Sequence, residues 1–116
     1  MAINYRGKLG SDGEKSARKF LISEGYKIVK TNYKNPFGEV DIIAEKNEVL
    51  AFIEVKTRTT EDFGAPSEAV DFKKRQRYIA AAKYYFYGRE IDCTVRFDII
   101  EILNGKINHI ENAFTA

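Results

Sequence analysis

The sequence predicts an α/β domain in which one helix, three strands, a second helix and two further strands follow in order. Three observations carry this class: two segments repeat apolar residues at helical spacing, several short runs are rich in β-branched and apolar residues, and turn signals such as Asn104-Gly105 bound those runs. With 116 residues the chain suits a single domain spanning 1–116, large enough to bury roughly two thirds of its unfolded surface.

The first helix is expected over about residues 11–24, where Ala17, Phe20 and Leu21 recur at helical spacing and Gly25 supplies a stop. Residues 26–33 read as a strand. Asn35-Pro36-Phe37-Gly38 is a turn cluster, and the hairpin over residues 39–56 follows it, with Lys46-Asn47-Glu48 at its turn. A polar stretch leads to Pro66 and Ser67, which favour a helix start, and that helix is expected to run to Tyr87 and end at Gly88. At about 100° per residue, Ala69, Phe72, Ile79, Ala80 and Phe86 share a stripe that includes Gln76, while Lys73, Lys74 and Arg77 lie on the other side. Thr94–Leu103 reads as a strand joined through Asn104-Gly105 to a last strand near Lys106–Glu111.

The hairpin carries the chemistry. Leu50, Phe52, Glu54 and Lys56 share one strand face, and Val49, Ala51, Ile53 and Val55 share the other. Polarity begins only at the strand's end, so both faces are expected to be covered and the charges to mark a rim. The alternative, solvent-face charges on an exposed hairpin, leaves Leu50 and Phe52 wet. A parity condition follows: if Glu45 faces either Glu48 or Leu50, Asp41 shares a face with Glu54. An acid opposite a Glu-x-Lys pair suits a magnesium- or manganese-dependent phosphodiesterase. Asp41, Glu54 and the carbonyl of Val55 would be oxygen ligands, and Lys56 would orient the attacking water and offset charge on the phosphate.

Composition narrows the field. Hydrophobic residues make up 44% and charged residues 31%, an ordinary globular balance. Cys93 and His109 are each the only residue of their kind, which excludes an intrachain zinc site of the usual type and an internal disulfide. A reducing compartment, the cytoplasm, is the expected address. No apolar run reads as a leader or a membrane span. The net charge of +2 supports nucleic-acid binding only weakly, so local clustering must carry it. Arg58, Lys73, Gln76 and Arg77 are the candidates for holding a nucleic-acid backbone, and a solvated helix face is the alternative for the basic helix residues.

Other positions stay open at this level. Ser11-Asp12-Gly13-Glu14 fits a capping box, yet Glu14 also lies on the inward side with Ala17 and Leu21, where it could join an active site. Gln76 either meets the charged end of the sheet or bonds a backbone carbonyl. Arg96 and Asp98 share a face and are expected to pair.

Gly13-Glu14 with Ala17, Asn32, Gly38 to Ala44, Phe52 to Arg58, Arg96-Phe97-Asp98 and Asn112-Ala113-Phe114 together resemble the YraN-like family of small bacterial predicted endonucleases, which are similar to archaeal Holliday junction resolvases. The resemblance implies a restriction-endonuclease-like fold, a mixed central sheet flanked by helices. It places Asp41, Glu54 and Lys56 at that fold's catalytic acid and Glu-x-Lys positions and Glu14 at an additional helix acid. Val40, where the wider superfamily often has proline, is a departure that leaves the chemistry intact. The expected function is metal-dependent cleavage of DNA, at branched or junction structures if the likeness extends that far, and cutting a junction twice would call for a homodimer. The rivals are a module of the same fold that binds nucleic acid without cutting, and an interaction protein whose hairpin charges form a buried ion pair.

Overall fold

The computed structural model describes residues 5–58 and 72–116, with side chains described from residue 12 onward. Helix α1 spans Tyr5–Ser23, and strands β1 (Lys27–Asn35), β2 (Gly38–Lys46) and β3 (Val49–Arg58) follow. Helix α2 (Phe72–Tyr85) precedes β4 (Thr94–Leu103) and β5 (Lys106–Phe114). The strands lie in sequence order in one five-stranded sheet. It is mixed, because β3 and β4 run parallel while the other neighbouring pairs are antiparallel. A parallel pair cannot close through a tight turn, so α2 falls within the crossover between β3 and β4.

The helices cover opposite faces. Ala17 and Leu21 of α1 pack on Ile42, Ala44, Ala51, Ile53, Ile100 and Ile102. Tyr78, Ala81 and Ala82 of α2 pack on Ile43, Leu50, Phe52, Phe97 and Ile99. Consecutive strand residues thus enter different cores, which is why β2 and β3 are apolar on both sides. Leu50 and Phe52 are buried, so the exposed-hairpin alternative fails. No helix among the described residues is long and apolar enough to cross a membrane.

Turn chemistry fixes the register. Lys46 pairs with Val49 across Asn47 and Glu48. Both turn residues have positive φ, 50° and 64°, as a two-residue type I′ hairpin requires. Asn104 and Gly105, at 50° and 80°, close the β4–β5 hairpin in the same way. At the first hairpin the Asn35 side chain accepts a hydrogen bond from the Phe37 amide at 2.9 Å, an Asx turn.

Several expectations need correction. The first helix starts at Tyr5, not near residue 11, so Ser11 to Glu14 lies inside the helix and cannot be its capping box. Gly13 serves packing instead: a Cβ there would clash with the Thr57 hydroxyl, so only glycine lets α1 lie this close to β3. The second helix ends at Tyr85, two residues early, and its expected start at Pro66 and Ser67 lies outside the described residues, as does Ala69. Its inner stripe is also rotated from the expected one: Tyr78, Ala81 and Ala82 are buried, whereas Phe72 is 73% exposed and Gln76 is exposed. Strand β1 runs two residues further than expected and β5 three, to Asn35 and Phe114.

Candidate active site

The site lies where β2 and β3 part. Glu45 pairs with Leu50, which meets the parity condition, and the ladder ends at Ile42 and Ile53 although both strands continue. Asp41 and Glu54 are the next residues beyond that last pair. With the ladder broken, the Asp41 side chain takes over: its Oδ2 accepts the Val55 amide hydrogen at 2.8 Å. The alternation of β2 also breaks here, since Val40 packs with the α2 core and Ile42 with the α1 core. Across the β1 pairing, between Thr31–Ile42 and Tyr33–Val40, Asn32 takes a left-handed φ of 49°. Asparagine tolerates that conformation better than other non-glycine residues.

Glu54 is buried at 6% exposure and fully partnered. The Tyr78 hydroxyl donates to its Oε2 at 2.5 Å, and Lys74 Nζ lies 2.5 Å from its Oε1. Lys56 Nζ is 4.0 Å from the same Oε1. The Asp41 amide also reaches the Tyr78 hydroxyl oxygen, at 3.5 Å, so one phenol links the two acid-bearing strands. Burial and the Glu54 and Asp41 charges raise the Tyr78 pKa well above its ordinary value, which keeps the phenol a neutral donor.

Asp41 is the perturbed acid. Burial and the charge of Glu54 push its pKa up to about 7; the Val55 amide opposes this and Glu14 adds to it. Burial and the charge of Glu39 raise the pKa of Glu14 too, against Arg18 and Asn32. With its amide nitrogen turned toward the acids, Asn32 donates to Glu39 Oε1 at 2.9 Å and to Glu14 Oε2 at 3.1 Å. Glu14 therefore stands at the edge of the acid group, held through Asn32 instead of through a helix cap.

The remaining candidates are dispersed. Arg58 pairs with Glu101 at 3.1 Å, both side chains largely buried. Lys73, Gln76 and Arg77 are exposed on α2, but Lys74, expected on the outer side with Lys73 and Arg77, turns in to Glu54. Arg96 and Asp98 do pair, at 2.9 Å. Asp98 is wholly buried and also meets His109 at 2.8 Å and the Asn112 amide at 3.0 Å, while Arg96 donates to the Tyr26 hydroxyl. Burial would raise the Asp98 pKa, but His109, Arg96 and the amide outweigh it and hold the carboxyl below its ordinary value.

Lys74 and Tyr78 are the partners that sequence reasoning missed. Their spacing of four puts them on one helix face, continued by Ala81, Ala82 and Tyr85, and that signal was available. Counting tyrosine as a core residue with a polar tip would have found it.

Among the described residues no three His, Cys, Asp or Glu side chains are gathered into a ready metal cage. The donors present are oxygen atoms: two carboxylates at the parted strand ends and the Val55 carbonyl beside them. A hard cation that keeps part of its water shell needs no more than this from the protein. A carboxyl whose pKa is raised by a neighbouring acid also gains from a cation. By donor type, oxygen with no nitrogen or sulfur, the set is of the kind that magnesium and manganese take.

The chain belongs to the family described as uncharacterised protein family UPF0102, whose pattern it matches over residues 13–102. This is the YraN-like family that the sequence resembles. A UPF0102 protein of Thermodesulfovibrio yellowstonii is 45% identical over 109 residues, covering 94% of this chain and 97% of the relative. Another, of Clostridioides difficile, is 46% identical over 108 residues, covering 90% and 95%. One from Caldanaerobacter subterraneus is 46% identical over 114 residues, covering 91% and 93%. Each is matched over nearly its whole length, and the family match over residues 13–102 takes in Glu14, Asp41, Glu54 and Lys56.

Proposed function

We propose that this UPF0102 protein is a metal-dependent nuclease that hydrolyses DNA phosphodiester bonds, on a sheet arranged like that of restriction endonucleases. The observation that carries the reading is Asp41: a carboxyl half-buried where two strands part, its pKa pushed up to about 7 by burial and by Glu54. Active sites gather such groups, because crowded acids store affinity for a cation.

Asp41, Glu54 and the Val55 carbonyl would hold the ion. When bound, magnesium or manganese supplies Lewis-acid polarisation of the scissile phosphate. This chain's own residues do the rest. The Val55 amide and Tyr78 hold Asp41 and Glu54 in place. Lys56, beside Glu54, positions the attacking water and compensates charge that develops on the phosphate. Glu14 is a further acid at the margin. Lys73 and Arg77 face outward on α2, where they meet the DNA backbone without reading sequence.

The 2.5 Å Lys74–Glu54 pair favours a second reading, a module that binds nucleic acid without cutting, since an ammonium already neutralises the acid. Incubating the protein with labelled linear and branched DNAs in magnesium, manganese or chelator separates the two. The nuclease cleaves with metal and stops in chelator; the module binds in both and cleaves in neither.

A further inference from the structure

Beside the acid pair lies a cleft of about 170 Å³ between the β1–β2 turn and α2. It is lined by Phe37, Gly38, Glu39, Lys74, Arg77 and Tyr78, over an apolar base of Val40 and Ala81. Lys74 and Tyr78 both touch Glu54, so the cleft and the proposed active site share a wall. Phe37 is 46% exposed, with Tyr84 of α2 edge-on to its ring at 6.2 Å. Gly38 has no Cβ, and the Arg77 Cδ lies 3.9 Å from where one would be, so the arginine stem rests against the turn.

We infer that this cleft receives one unpaired nucleotide of the DNA, next to the phosphate to be cut. An aromatic ring at the mouth, an apolar base, a carboxylate acceptor at Glu39 and the Arg77 cation are the groups that hold an extruded base and its backbone. A paired base cannot use them, because its faces are covered by the stack. The substrate class that follows is DNA with an unpaired or displaced nucleotide at the cleavage point, not continuous duplex. This rests on the nucleic-acid reading above and narrows it.

The test measures binding in chelator, where no cleavage intervenes. Two hairpin DNAs carry 2-aminopurine, one at a single unpaired position and one within the paired stem. The protein binds the unpaired form roughly tenfold more tightly, the scale of one base stacked on an aromatic side chain, and the probe's emission changes on binding. Phe37→Ala brings the affinity ratio close to one, and Phe37→Tyr, which keeps the ring, restores it. Equal affinities for the two DNAs overturn the proposal, and so does a ratio that Phe37→Ala leaves intact. Cleavage of the same DNAs in magnesium keeps the two ideas apart. Cleavage without any preference in binding removes the cleft alone, whereas a preference lost in Phe37→Ala with no cleavage under any metal upholds the cleft and removes the nuclease.

Discussion

At Asp41 the cost of the site is a matter of protons. Its folded pKa of about 7 lies above the ordinary 3.8, so between those values the folded protein keeps a proton that the unfolded chain has released. This group's contribution to stability therefore falls as pH rises through that window and is least favourable above pH 7. Asp41→Asn keeps an oxygen for the Val55 amide and removes the charge. In metal-free buffer it should stabilise the fold at pH 8 by about 1–3 kcal/mol, discounted for partial exposure, and by much less near pH 4. Urea denaturation at both pH values checks this; a variant no more stable than the parent at pH 8 contradicts it. Asp98 has the opposite character. Its partners hold it charged, so Asp98→Ala leaves Arg96 and His109 facing a buried void and should destabilise by about 3–5 kcal/mol in the same measurement.

At the scale of elements, the hairpins were legible and the helices only partly so. Asn104-Gly105 announced its turn, and the polar Lys46-Asn47-Glu48 break set the parity condition that the Glu45–Leu50 pair meets, although β2 loses its alternation at Asp41. Local turn chemistry decided these features, and sequence carries it directly. The start of α1 was hidden because Ser11-Asp12-Gly13 reads as a cap, while the need for Gly13 is tertiary: it lies against Thr57, 44 positions along the chain. Gly13→Ala should therefore cost about 1–3 kcal/mol through overpacking, more than the change of helix propensity would return. Thermal unfolding checks it, and a stabilised variant would mean that α1 and β3 can separate freely. The phase of α2 was misjudged because apolar residues surround its C-terminal half, from Ile79 to Tyr85. What sets its rotation is Tyr78 reaching Glu54, a bond between residues 24 apart. The acid pair could thus be read from β2 and β3, whereas Lys74 and Tyr78, which hold it, show in the sequence only when tyrosine is counted among the inward-facing residues of α2.

Across the whole molecule, the net charge is only +2, so the proposed DNA binding falls to local groups, chiefly the outer side of α2. Replacing Lys73 and Arg77 with alanine should weaken binding alike for all sequences and lower the salt slope by roughly one per lost phosphate contact. Unchanged affinity would make that side a solvated surface. The central claim is that the parted ends of β2 and β3 form a catalytic centre, and single-turnover cleavage by the parent, Lys56→Ala and Glu54→Ala tests it most directly. The parent should cut only with magnesium or manganese. Lys56→Ala should cut about a hundredfold more slowly while still binding metal, and Glu54→Ala should lose both metal and cleavage. Metal-dependent cleavage that both variants retain unaltered would contradict the account, as would an intact protein that cuts none of the linear or branched DNAs.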